Sequence, residues 1–161
     1  MDEGHAESIS LDATHRPPPG PRSSAIDNNL NHDEIRAVLS RYELDGIQRV
    51  DDLRAGSELS PKAVVQCGRG KMLLKRRARG LDVPGVVAFT HEVLGGCLRA
   101  GVCVPPLVGT ADNNSMVQFN DHIYELFVFI EGGGYARCTE HARGAGGLLA
   151  ETHGVMDSIE T

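Results

Sequence analysis

Apolar positions along this chain change period several times, and each change marks an element. Between residues 31 and 42, Ile35, Val38, Leu39 and Tyr42 recur at helical spacing, behind Asn31 as a helix cap and Glu34 three residues later as its reciprocal partner. A short amphipathic helix is predicted there. Residues 46–53, with Ile47, Val50 and Leu53, have the length and flanks of a strand. Two apolar runs follow, one around Ala63-Val64-Val65 and one around Met72-Leu73-Leu74, separated by Gly68-Arg69-Gly70. They predict a β-hairpin whose second strand ends in Lys75. From Pro84 to Ala100 the spacing of Val87, Thr90, Val93, Leu94, Cys97 and Leu98 predicts the longest helix of this region, with proline tolerated in its first turn and Gly101 closing it. Residues 102–110 are predicted as an edge strand, because Pro105 and Pro106 cannot donate to a ladder. Residues 116–120 and 123–130 are two further strands about the tight connection Asn120-Asp121-His122, the second being the most apolar strand of the chain. Glu131-Gly132-Gly133-Gly134 is a flexible connector, and residues 136–156 form a last helix with Leu148, Leu149 and Ala150 on one face. The fold class is therefore α+β: a largely antiparallel sheet of roughly five strands with one long helix packed on a face.

Composition narrows the picture in three places. Residues 1–30, with Pro17-Pro18-Pro19-Gly20-Pro21 and few large apolar side chains, cannot bury enough surface to offset the entropy of ordering, and are expected to be a disordered tail. The 161 residues leave room for one modest core, and no apolar run approaches the roughly 20 residues that span a bilayer. No membrane partner is expected, and the parsimonious compartment is the cytoplasm, since the first residues are acidic and polar rather than leader-like. Cys67, Cys97, Cys103 and Cys138 form no Cys-x-x-Cys pair, which speaks against a zinc site or a disulfide framework. A formal net charge of −6 argues against nucleic acid as a partner, although Arg69 to Arg79 carries six basic residues and no acidic one.

The pieces Tyr42-Glu-Leu-Asp-Gly46, Gly56-Ser57-Glu58, Leu73-Leu-Lys75-Arg76, His91-Glu92-Val-Leu94, Ala100 to Pro106, Tyr124 to Gly132 and Leu148 to His153, in that order, resemble the N-terminal lobe of the aminoglycoside phosphotransferase and choline kinase family, homoserine-kinase-like members included. This is a branch of the protein-kinase-like fold. The resemblance covers most of residues 31–155. It implies a nucleotide-binding lobe at residues 31–130, then a hinge and the first helix of a C-terminal lobe at residues 131–161. It also implies ATP as cofactor. Gly56, Ser57 and Glu58 would be the loop over the phosphates, and Lys75 would contact the α- and β-phosphates. Glu92 would hold Lys75 by an ion pair, main-chain groups at Val128 and Ile130 would meet the adenine, and Phe127 or Phe129 would lie near its ring.

Residue types alone leave other readings open. Lys75 precedes Arg76 and Arg77, so it also suits a solvated strand end; Glu92 suits an exposed helix position; Phe127 and Phe129, two apart on a strand, share a face and serve a core as well as a pocket. The sequence also departs from the family pattern. Its phosphate loop is poor in glycine and Pro61 removes a donor. After His153-Gly154 come Val155 and Met156 rather than the family's catalytic aspartate, and no Mg²⁺ ligands follow. The expectation is a truncated phosphotransferase, inactive alone, or one part of an enzyme whose C-terminal lobe is separately encoded. The alternative is a non-catalytic nucleotide-binding or protein-interaction module.

Overall fold

The structure, a computed structural model, describes residues 29–159. Helix α1, His32–Leu39, starts where the side chain of Asn31 accepts from the Glu34 N–H at 2.8 Å while the Glu34 carboxylate accepts from the Asn31 N–H at 3.1 Å. That reciprocal cap satisfies two donors the first turn leaves open. Strand β1 is Ile47–Asp52, β2 is Lys62–Cys67 and β3 is Gly70–Arg76. The β2–β3 turn is only Gly68-Arg69, with Cys67 opposite Gly70, and Gly70 takes φ +105°, a conformation that a side chain would strain. Helix α2 is Pro84–Arg99, β4 is Val117–Phe119, β5 is His122–Val128 and α3 is Thr139–Asp157. Asn120 and Asp121 both take positive φ, as a two-residue hairpin turn between β4 and β5 requires.

The five strands form one antiparallel sheet in the order β1-β2-β3-β5-β4. Strand parity gives the two faces different jobs. Ala63, Val65 and Cys67 of β2, Met72 and Leu74 of β3, and Tyr124 and Leu126 of β5 join Ile35, Val38 and Leu39 of α1 in the core. On that face Arg76 donates to Glu34 at 2.8 Å and the Tyr124 hydroxyl donates to the same carboxylate. Burial pushes the Glu34 carboxyl up, but the hydrogen bonds from Tyr124 and Arg76 outweigh it and hold the group below the usual glutamate range. The opposite face presents Lys62 and Val64, Leu73 and Lys75, Glu125 and Phe127. It is the face left for a site.

Two expectations need correction. Residues 102–110 do not form a strand: Val108 donates to the Leu126 carbonyl at 2.7 Å, Val128 donates to the Pro106 carbonyl at 2.8 Å, and Leu107 makes an isolated bridge with Phe127. The segment lies along β5 beyond the stretch paired with β4, and prolines 105 and 106 lack the N–H groups that would extend the ladder. Leu30 is buried in the core cluster, so packing begins before residue 31; the disorder expected of the tail otherwise concerns residues outside the described ones. Leu148 and Leu149, which the spacing puts on one face of α3, are exposed, and none of the described residues of that helix is buried. Helix α3 rests on α2 at Gly96, where an added Cβ would stand 2.8 Å from Val155.

Candidate functional site

The loop between β1 and β2 closes where Leu53 donates to the Lys62 carbonyl at 2.9 Å. Within it Gly56 takes φ +72°, and the Ser57 hydroxyl accepts from the Leu59 N–H at 3.3 Å. Lys62 reaches back to donate to the carbonyls of Ala55, Ser57 and Ser60 at 3.0, 3.1 and 2.7 Å. Three loop carbonyls are thereby gathered on one ammonium. Among the described residues, the N–H groups of Gly56, Ser57 and Glu58 have no hydrogen-bond acceptor. Unused main-chain donors in a tight loop are the groups that receive anionic oxygens. A cleft of about 300 Å³ lies here, lined by residues that include Gly56, Ser57, Glu58 and Lys62.

A row of charges crosses the sheet beside this loop. Lys62 on β2 stands opposite Lys75 on β3, and Lys75 stands opposite Glu125 on β5. The Lys75 ammonium is 3.9 Å from Glu125 Oε2. Burial draws Lys75 below the usual lysine range, the Glu125 charge pulls it back up, and the charges of Arg77 and Lys62 add to the lowering. Glu125 is fully buried and is the hub of the row. Arg77 donates to both of its oxygens, Nε to Oε2 at 2.6 Å and Nη2 to Oε1 at 2.7 Å, in the bidentate geometry a guanidinium favours. His91 of α2 lies with Nε2 at 2.6 Å from Oε1 and Nδ1 at 2.9 Å from the Ser115 hydroxyl.

The expected Lys75–Glu92 pair is absent among the described residues: Glu92 is exposed on α2, and the carboxylate beside Lys75 is Glu125. Glu92 follows His91 by one residue, about 100° around the helix, so the turn that brings His91 to the sheet carries Glu92 away from it. At the hinge the two expected positions differ in what their main-chain donors do. The Val128 N–H is already used by Pro106, whereas the Ile130 N–H makes no protein hydrogen bond. Phe127 is buried opposite Leu73, in a row that runs on to Val64. Those three side chains form an apolar strip between the hinge and the lysines. Phe129 is half-buried beyond the strand end.

Glu125, Arg77, Lys62 and His91 were not assigned to the site from sequence. One signal was available: if Met72 and Leu74 face the core, Lys75 faces the other way, and a strand pairing with β3 places its own non-core residues beside it. Among the described residues no cluster of three or more His, Cys, Asp or Glu side chains could hold a metal ion, so no step is assigned to Mg²⁺. No described helix is long and apolar enough to cross a membrane.

No family model and no curated protein matches the sequence. Solved structures do. An aminoglycoside phosphotransferase from Alicyclobacillus acidocaldarius superposes with TM-score 0.62 at 19% identity, over 94% of this chain and 41% of its own. A spectinomycin phosphotransferase in complex with ADP and spectinomycin gives 0.60 at 12% identity, over 80% and 38%. An amicoumacin kinase in complex with AMP-PNP and Ca²⁺ gives 0.58 at 14% identity, over 81% and 44%. The fold is thus that of the N-terminal lobe of aminoglycoside phosphotransferases and related small-molecule kinases, as the sequence resemblance implies. The chain spans about two fifths of the length of these proteins.

Proposed function

We propose that this chain is the ATP-binding lobe of a small-molecule phosphotransferase. The observation that carries the reading is the juxtaposition of Lys62 and Lys75 with a loop whose Gly56, Ser57 and Glu58 amides are unused. The Lys75 ammonium, the positive charge of Lys62 and three unused N–H donors suit a polyphosphate, whose charge is spread over several oxygens. The strip of Val64, Leu73 and Phe127 leads from these groups to the open Ile130 N–H, which suits a flat base with an acceptor on its edge. Amino-sugar-like acceptors, the class that the name of the aminoglycoside phosphotransferase suggests, would be bound outside the described residues.

Phosphoryl transfer also needs groups that orient the acceptor and neutralise the developing charge. We assign these to a C-terminal lobe, carried in the same polypeptide or separately encoded. Exposed Val128, Ile130 and Tyr135 at the hinge, with Leu148, Leu149 and Met156 on α3, offer apolar surface for it. Saturable binding of ATP to the purified chain in a calorimetric titration, with weaker binding of inorganic tripolyphosphate, is the expected result. An absence of heat with ATP overturns the reading. A non-catalytic nucleotide-binding module would bind ATP equally and would stay inactive when the matching C-terminal lobe is supplied.

A further inference from the structure

The lysine of the nucleotide site is held from within the sheet. We infer that Glu125 on β5 is the positioning residue for Lys75, and that α2 acts on the lysine only through His91, which grips the same carboxylate. Lys75 and Glu125 are cross-strand partners, with 3.9 Å between the ammonium and Oε2. The carboxylate cannot swing, because Arg77 holds both oxygens and His91 holds Oε1. A residue fixed on three sides by charge-assisted hydrogen bonds presents one oxygen edge to Lys75 in a constant place. Glu92, the acid α2 could have offered, is exposed.

The arrangement has a physical consequence. An ion pair between a strand and a mobile helix breaks when the helix moves, whereas β3 and β5 are bound along five consecutive register positions from Met72↔Val128 to Arg76↔Tyr124. Lys75 therefore keeps its partner within the sheet, and a shift of α2 reaches it only through the His91 bond to Glu125. Its charge environment is set by Glu125 across the pair, Arg77 just past the end of β3, Lys62 on β2 and His91 from α2, with buried Tyr42 also feeling the Glu125 charge. Glu125 favours the ammonium; Arg77 and Lys62 oppose it. The functional value of this alignment rests on the nucleotide reading above, but the alignment itself does not.

Competitive acylation with acetic anhydride, read by mass spectrometry on the Lys75 peptide across a pH series without nucleotide, tests it. The pH of half-reaction should fall in Glu125→Gln, rise in Arg77→Met and stay unchanged in Glu92→Gln. Disruption of packing alone would not move two neighbours in opposite directions. An unchanged midpoint in a folded Glu125→Gln, or a fall in Glu92→Gln, overturns the inference. Should Glu125→Gln fail to fold, Glu92→Gln, altered only at an exposed position, still decides between the two acids. In the ATP titration Glu125→Gln should bind about tenfold more weakly, the size of one hydrogen bond to a charged group, and Glu92→Gln as well as the wild type. If the wild type binds no ATP, the nucleotide reading fails while the acylation result stands on its own.

Discussion

Lys62 and Lys75 face each other across β2 and β3, two like charges in directly opposed positions of an antiparallel pair. Such a pair opposes sheet formation, and only one of the two is given a carboxylate. Lys62 instead turns to three loop carbonyls, while Lys75 takes Glu125. On the proposed reading, an anion bound beside the two cations offsets that local cost. Polyphosphate should therefore raise the melting temperature of the wild type, and high salt should shrink that rise, because partly exposed charges are screened. A thermal melt with and without tripolyphosphate at two salt concentrations checks both.

Lys62→Met should loosen the loop without unfolding the sheet. The Ser60 N–H, bonded to the Ser57 carbonyl at 3.3 Å, is held in a turn that the Lys62 ammonium closes from the other side. Amide hydrogen exchange should accelerate at Leu59 and Ser60 and stay unchanged at Val65 and Leu74, which lie in the ladder. Equal protection in both proteins would show that the lysine does not hold the loop.

The opposite face predicts an acid transition. The folded state holds the Glu34 carboxyl below its ordinary range, so its contribution is present above the ordinary glutamate pKa and is lost as pH falls through the lowered value. Stability of the wild type should decline on acidification below about pH 4.5, and Glu34→Gln should flatten that decline. The same change should cost about 3 kcal/mol at neutral pH, because it leaves Arg76 buried without its carboxylate. Urea unfolding at pH 7 and pH 4 measures both effects.

Tyr42 supplies a control of opposite sign. Its hydroxyl is buried with no hydrogen-bond partner, and burial, with the Glu125 charge behind it, raises its pKa. Tyr42→Phe removes an unsatisfied polar group and leaves the ring in place. The expected result in denaturant unfolding is no loss of stability, within about 0.5 kcal/mol, or a small gain.

At the hinge, Ile130→Pro removes a main-chain donor that makes no hydrogen bond among the described residues, at a side chain 46% exposed. ATP affinity should fall while tripolyphosphate affinity is retained. A parallel loss of both would place the effect on the fold rather than on base recognition.

The parts of this arrangement that were legible in sequence are local. The Asn31–Glu34 cap, the Gly68-Arg69 turn and the span of α2 each follow from residues within a few positions of one another, where backbone geometry decides. That Lys75 lies near the end of the hairpin's second strand was legible as well. Its partner was not, because Glu125 lies fifty residues away and reaches Lys75 only through the β3–β5 register, which no short window of sequence contains. The misassigned strand at 102–110 has the same origin: the prolines were read correctly as an obstacle to pairing, but how little pairing survives depends on how far β4 extends along β5. The exposure of Leu148 and Leu149 was likewise hidden, since helical spacing specifies a face and not what covers it.

The most direct test is calorimetric titration of ATP into the wild type and Lys75→Ala under identical conditions. Saturable binding by the wild type and a loss of about tenfold or more in the variant, the size of one hydrogen bond to a charged group, is the expected outcome. Equal affinities, or no binding by either protein, would contradict a nucleotide site built on Lys75.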